Sequence, residues 1–293
     1  MPWLQLHIAA TRSQTDAIED AMLDSGALSV SMTDDADTPV LEPGVGETPL
    51  WDRVRVTALY EDGSDAAVIS QQLCAALGIS EDTLLWERLD DQPWERAWMD
   101  HFEPIRCGDR LWICPSWKSP PDPEGVNLIL DPGLAFGTGT HPTTFLCLEW
   151  LDGLSLTGAT VVDYGCGSGI LGIAALLLGA EKVIAIDNDP QALIATQDNL
   201  ARNNLDADRL RACLPQQMPE INADIVVANI LAGPLIELAP RIAALVKPGG
   251  TLCLSGIMPH QAAEVQAAYE ASFHFLPTVT QDDWVRLNAR KAL

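Results

Sequence analysis

Basic residues are scarce in this chain. Lys and Arg number 17 against 41 Asp and Glu, the formal net charge is −24, and the first lysine is Lys118. Such a chain repels nucleic-acid phosphates over most of its surface, so we expect no direct nucleic-acid binding and consider a basic macromolecule the better partner. Strong acidity that serves solubility alone is an equally good interpretation at this stage.

Other features are missing as well. The seven cysteines are scattered and form no CxxC pair, so no metal site is predicted. No apolar run is long enough to cross a bilayer, and the N-terminal segment lacks the basic and apolar regions of a signal peptide. We therefore expect a cytoplasmic protein that has reduced thiols and does not contact a membrane. We also expect it to be a monomer.

The first part of the chain predicts a small domain. Leu4, Leu6 and Ile8 alternate with polar or small residues, and the patterns that follow predict the order β-α-β-β-α-β. This order matches a ferredoxin-like α+β domain, assigned to residues 1–90. Residues 91–123 are assigned to a linker, because this stretch ends in a proline-rich segment that cannot continue a helix.

The second part, residues 124–293, repeats a strand-then-helix pattern typical of a parallel α/β sheet. It predicts a Rossmann-like domain that ends in two closing strands. The predicted strands cover 159–164, 182–187, 223–228 and 250–255, and the predicted helices cover 170–178, 190–203 and 234–246.

The strongest motif is VVDYGCGSG at residues 161–169, a strand that leads into a turn and then a helix. Gly165, Gly167 and Gly169 leave room for a ligand to approach the backbone, and the helix presents free N–H groups. Gly167, Gly169 and Gly172 also match the dinucleotide fingerprint GxGxxG. In that fingerprint the first glycine follows the strand directly, whereas here Gly165 already opens the turn.

Acidic and amide side chains follow the predicted strands. Asp163 precedes the glycines and suits a cationic ligand that carries an amino acid better than a pyrophosphate. Asp187 ends the next strand, where a carboxylate accepts both ribose hydroxyls, although a helix N-cap is the alternative. Asn229 ends a third strand, and its carbonyl is suited to accept a hydrogen bond from an amine while its NH2 group donates elsewhere. The alternative for Asn229 is an ordinary cap.

The segment DPGLAFGTGTHPTT, residues 131–144, is a glycine-rich loop that leads into a helix. Phe136 is a candidate wall for a ligand, and Thr138 and Thr144 offer uncharged hydrogen-bonding groups. The loop lacks the lysine of a phosphate-binding P-loop. His141 is interpreted as structural.

These segments, together with AIDNDP and VVANILAGPL, resemble the methyltransferases of ribosomal large-subunit protein 11, a family of class I S-adenosylmethionine-dependent methyltransferases. The resemblance spans nearly the whole chain and is densest from residue 131 to 256. It implies a substrate-recognition domain, a flexible linker and a seven-stranded catalytic domain that methylates lysine side chains and the α-amine of that ribosomal protein. The family's S-adenosylmethionine residues fall on Thr144, Gly165, Asp187 and Asn229.

One position departs from many amine methyltransferases. The usual N-P-P-Y or D-P-P-Y is N-I-L-A at residues 229–232, as in the family itself, so the stacking aromatic is missing. We expect Asn229 to position the amine and identify no general base. The alternatives are a non-catalytic ribosome-assembly factor, disfavoured by the intact pocket residues, and an NAD-dependent oxidoreductase, for which no Tyr-x-x-x-Lys pair is present.

Overall fold

A computed structural model describes residues 2–36, 50–89, 102–131 and 139–293. The chain divides into two compact units, one ending at Met99 and the other beginning at Asp100. No helix in these described ranges is long and apolar enough to span a membrane.

The first unit has the predicted β-α-β-β-α-β order. Its strands form one antiparallel sheet in the order β2-β3-β1-β4, and alternate residues of β1 and β3 form its core with both helices. Asp65 begins α2 by accepting the N–H groups of Ala67 and Val68, and Gly78 ends it at φ 66°. The elements are β1 Trp3–Thr11, α1 Thr15–Asp24, β2 Ser29–Asp34, β3 Arg53–Glu61, α2 Ala66–Leu77 and β4 Leu85–Leu89.

The second unit begins with a three-stranded sheet of β5 Ile105–Cys107, β6 Leu111–Cys114 and β7 Val126–Ile129. Two of these strands lie in the stretch assigned to a linker, residues 91–123. Cys107 and Leu111 are fully buried there, so the segment belongs to the core of this unit. The carboxylate of the buried Asp152 stabilises the turn between β5 and β6 by accepting the backbone N–H groups of Asp109 and Arg110.

The remainder of the second unit alternates strands with helices. The helices are α3 Pro142–Asp152, α4 Ile170–Leu177, α5 Pro190–Arg202, α6 Ala232–Glu237, α7 Ala239–Leu245 and α8 Ala262–Tyr269. The strands are β8 Thr160–Tyr164, β9 Lys182–Ile186, β10 Leu210–Cys213, β11 Ala223–Asn229, β12 Val246–Ile257, β13 Phe273–Phe275, β14 Val279–Gln281 and β15 Trp284–Lys291.

These strands form one mixed sheet in the order β10-β9-β8-β11-β12-β15-β13, with β14 paired to β15. The first five strands of this row are parallel, and β15 is antiparallel to β12. From β8 the chain moves outward to β9 and β10, then returns to β11 on the other side of β8. The strand order therefore reverses between β8 and β11, where open α/β sheets form a ligand crevice at the carboxyl ends of their strands.

The structure differs from the predicted second unit in three details. The sheet has eight strands, not seven, because Asp282, at φ 52°, turns the closing segment into β14 and β15 after β13. The predicted helix over 234–246 is two helices, and Pro240 stands in the first turn of the second, where its missing N–H is not needed. Strands β7 and β10 and helix α8 were not predicted.

Candidate functional site

The glycine turn between β8 and α4 lies at the reversal point of the sheet. Gly165, Gly167 and Gly169 have φ values of 76°, 53° and 78°, a region that only glycine adopts freely. The N–H of Gly165 donates to the carbonyl of Ile186 at 2.7 Å, which ties the turn to the end of β9. A Cβ atom at Gly165 would lie 2.2 Å from Cγ2 of Ile230. Here glycine is required because a neighbouring side chain covers the position, a reason that the sequence analysis did not include.

Asp187 lies directly after β9 and contacts the same turn. Its Oδ2 accepts the N–H of Gly167 at 2.9 Å, and its Oδ1 accepts the N–H of Asp189 at 3.0 Å. Asp189 is the N-cap of α5, since its own carboxylate accepts the N–H of Gln191. Asp187 is therefore not the N-cap of α5. Each Asp187 oxygen has a further lone pair for a hydroxyl donor.

Asp163 is fully buried at the end of β8. Its Oδ2 accepts the N–H of Gly172 in α4 at 2.9 Å, and its Oδ1 has no hydrogen-bond partner among the described residues. Burial raises the pKa of this carboxyl to about 7; the Gly172 N–H opposes the rise and the charge of Asp187 adds to it. In this arrangement the carboxylate supports the turn from within, and its direct contact with a ligand stays a prediction.

Thr144 and Asn229 meet where α3 begins beside the end of β11. The Nδ2 of Asn229 donates to Oγ1 of the buried Thr144 at 3.1 Å. This bond uses one of the two N–H donors of the NH2 group and leaves the carbonyl oxygen of Asn229 as an acceptor. Ser255 of β12, the residue that pairs with Asn229 of β11, is buried and donates from its hydroxyl to the carbonyl of Thr143 at 3.1 Å. The start of α3 is thus tied to both β11 and β12.

His141 is the N-cap of α3. Its Nδ1 accepts the N–H of Thr143 and lies 2.8 Å from the Thr143 hydroxyl oxygen. Its ring also lies edge-on to Trp284, with ring centroids 5.0 Å apart. Burial lowers the pKa of the imidazole, in agreement with a neutral acceptor at this position. These contacts agree with the structural interpretation of His141.

The charges of the crevice distinguish two classes of ligand. The segments that border it, residues 139–144, 163–169, 186–189 and 228–232, contain three carboxylates, those of Asp163, Asp187 and Asp189, and no Lys or Arg. A pyrophosphate would find no cationic side chain from these segments, whereas a cationic ligand would be favoured by Asp187 and by the buried Asp163. In the part of the chain that the structure describes, no group of three or more His, Cys, Asp or Glu is placed to hold a metal ion.

A family model for ribosomal protein L11 methyltransferase (PrmA) matches residues 2–292. The chain belongs to this family. It is similar over its full length to the ribosomal protein L11 methyltransferase of Cellvibrio japonicus, at 55% identity over 292 residues, covering 100% of this chain and 99% of that protein. The enzyme of the same name from Pseudomonas aeruginosa strain LESB58 is 53% identical over 291 residues, 99% of each chain.

A solved structure agrees with this assignment. The crystal structure of a ribosomal protein L11 methylase from Lactobacillus delbrueckii subsp. bulgaricus is 31% identical, with a TM-score of 0.58. The match covers 66% of this chain and 100% of that one. The predicted family, fold class, methyltransferase activity and S-adenosylmethionine cofactor are confirmed.

The four residues predicted to bind the cofactor, by resemblance to the L11 methyltransferase family, lie at the carboxyl ends of the strands or in the first turn of α3. The structure links Gly165 to β9, Asp187 to Gly167, and Thr144 to Asn229 through the hydrogen bonds described above. Phe136 and Thr138 lie outside the described residues. Sequence reasoning missed Ile230 and Ser255, and it also missed Thr196 and Asn199 of α5, because the burial of these side chains depends on contacts between segments that are distant in sequence.

Proposed function

We propose that this chain transfers methyl groups from S-adenosylmethionine to amino groups of ribosomal protein L11, namely lysine side chains and the α-amine. The observation that carries the proposal is the Asn229–Thr144 hydrogen bond, which leaves one amide carbonyl as an acceptor at the carboxyl end of β11. The relatives that share this chain's full length are named for that substrate.

Residues of the crevice between β8 and β11, where the strand order reverses, would hold the cofactor. Gly165 and Gly167 supply the close backbone approach, Asp187 accepts the ribose hydroxyls, and Thr144 and Asn229 complete the site. We extend the proposal to Asp163, Phe136 and Thr138 as further contacts. S-adenosylmethionine, when bound, supplies a methyl group on a positively charged sulfur. The acidic border and the absence of Lys and Arg there suit that charge.

The chain's own part in the reaction is to prepare the amine. A free lysine has a pKa of roughly 10.4 and an α-amine about 7.8, so the nitrogen must lose a proton before its lone pair is available. Desolvation in the crevice lowers the pKa of the amine, and the carbonyl of Asn229 accepts one of its N–H groups and orients it. Alignment of two reactants contributes on the order of 7 kcal/mol or more in well-oriented cases.

The first unit is proposed to recognise the substrate. Up to residue 52 the chain has one basic residue, Arg12, against ten acidic ones. Asp16, Asp20 and Asp24 are exposed along α1, spaced to share one face of the helix. This charge complements a basic ribosomal protein and disfavours nucleic acid. We further propose a cytoplasmic monomer whose substrate-recognition and catalytic domains are joined by a linker that ends before β5.

The proposal is tested with purified chain, S-adenosylmethionine and recombinant ribosomal protein L11, followed by intact mass. Stepwise gains of one methylene each are expected for the wild-type chain. Asp187→Ala is expected to lose both methylation and cofactor binding, because the ribose loses its acceptor and Gly167 loses its anchor. Cofactor binding without any mass gain would contradict L11 as the substrate, and other basic proteins would be tested next. No cofactor binding would contradict the enzyme itself.

Added salt is expected to slow methylation of intact L11. If complementary charge speeds encounter, kcat/KM at 300 mM salt falls about tenfold relative to 50 mM salt, because the Debye length shortens. A short peptide with blocked ends, in which the target lysine is the only charged residue, serves as the control and should show a much smaller change. A salt-independent rate with intact L11 would contradict the proposed role of the acidic first unit.

A further inference from the structure

Two polar side chains lie on the buried face of α5. Thr196 is 0% exposed and Asn199 is 7% exposed, beside the apolar Ala192 and Leu200 of the same helix. Burying a hydroxyl or an amide is costly unless it is hydrogen-bonded. The hydrogen-bond partners of Thr196 and Asn199 therefore indicate why these polar residues occur on an otherwise apolar helix face.

Both side chains donate to the glycine turn. The hydroxyl of Thr196 donates to the carbonyl of Gly167 at 3.1 Å, and Nδ2 of Asn199 donates to the next carbonyl, that of Ser168, at 2.9 Å. Arg202 donates to Oδ1 of Asn199, which orients the amide so that its NH2 group faces Ser168. The approach is close: a Cβ atom on Gly169 would lie 2.7 Å from Cγ2 of Thr196.

The peptide groups of Gly167 are consequently held from both sides. Its N–H donates to Asp187 at 2.9 Å, and its carbonyl accepts from Thr196. Gly167 is at φ 53°, where glycine has more conformational freedom than other residues. Without the Thr196 hydroxyl this half-buried carbonyl would lose its side-chain donor, and the turn that orients the Asp187 carboxylate would be free to shift.

We infer that Thr196 and Asn199 are positioning residues for the cofactor, which act through the glycine turn and Asp187 without touching the ligand. This inference rests on the proposed function of the crevice. Because the turn binds the donor and not the protein substrate, the two side chains should govern affinity for S-adenosylmethionine, while kcat at saturation and KM for L11 should not depend on them.

The test compares Thr196→Val, which keeps the shape and removes the hydroxyl, with Thr196→Ser, which keeps the hydroxyl. Thr278→Val, at an exposed threonine, is the matched control. Binding of S-adenosylhomocysteine is measured by calorimetry on the full chain, and steady-state kinetics with L11 are measured below the melting temperature of each variant. Thr196→Val is expected to raise Kd and KM for the cofactor about tenfold, with kcat within about twofold of wild type.

If the wild-type chain binds the cofactor, any one of three results for the variants would overturn the inference. These are wild-type affinity in Thr196→Val, equal weakening in Thr196→Ser, or a loss confined to kcat. If Thr196→Val does not fold, Asn199→Ala tests the second donor and is expected to raise Kd by a similar factor. A wild-type chain that binds no S-adenosylhomocysteine would overturn the proposed function and this inference together.

Discussion

Gly165→Ala is expected to weaken S-adenosylhomocysteine binding by about a hundredfold or more. Gly165 is at φ 76°, where an alanine costs roughly 1–2 kcal/mol, and its Cβ would lie 2.2 Å from Cγ2 of Ile230. Either the turn or Ile230 must move, and both lie beside Asn229 and the proposed cofactor residues. Calorimetric titration of the purified variant measures the loss.

Gly158→Ala is the matched control for this prediction. Gly158 is at φ 74°, so the backbone penalty is similar, but a Cβ there has no heavy atom within 4 Å. It should lose stability of about 1–2 kcal/mol with unchanged cofactor affinity. In the double variant Gly165→Ala, Ile230→Ala, the contacting methyl group is gone and part of the affinity should return. Wild-type affinity in Gly165→Ala alone would refute the close-approach argument.

Asn229→Ala is expected to lower kcat about a hundredfold, because a misplaced amine loses the alignment on which the reaction depends. Asn229→Asp keeps an oxygen acceptor, and the Thr144 hydroxyl is able to donate to it, so this variant should retain more activity than Asn229→Ala. Single-turnover rates with L11 at saturating cofactor separate this effect from binding.

Asn222→Ala, just before the start of β11, provides the control. Asn222 is exposed and lies one residue before β11, at the end of the strand away from Asn229. Its replacement should leave both kcat and cofactor affinity unchanged. Full turnover with unchanged cofactor affinity in Asn229→Ala would show that the amide does not position the amine.

Local signals in the sequence were sufficient for the first unit and for the elements on either side of the glycine turn. Alternation in β1 and β3, and Gly78 after α2, act within a few residues, so the chain predicts those elements without tertiary information. Strands β5 and β6 are three and four residues long within a stretch rich in Pro and Gly, and their stability depends on burial of residues such as Cys107 and Leu111 against the core of the second unit. Periodicity over so few residues is too weak to predict them.

In the candidate site, too, some features follow from local sequence and topology, whereas others depend on tertiary packing. The position of Asp187 and Asn229 at the ends of parallel strands follows from topology, and their types indicate hydrogen-bond acceptors for a ribose and an amine. The burial of Asp163, the cover of Ile230 over Gly165 and the bonds from α5 to the turn connect residues that are distant in sequence. Such contacts depend on how the layers pack, and no local pattern predicts them.

The most direct test of the central claim, that the crevice between β8 and β11 binds S-adenosylmethionine and not a dinucleotide, is a pair of calorimetric titrations of the full chain. The account predicts saturable, one-site binding of S-adenosylhomocysteine and no binding of NAD at the same concentrations. Binding of NAD, with no binding of S-adenosylhomocysteine, would contradict it.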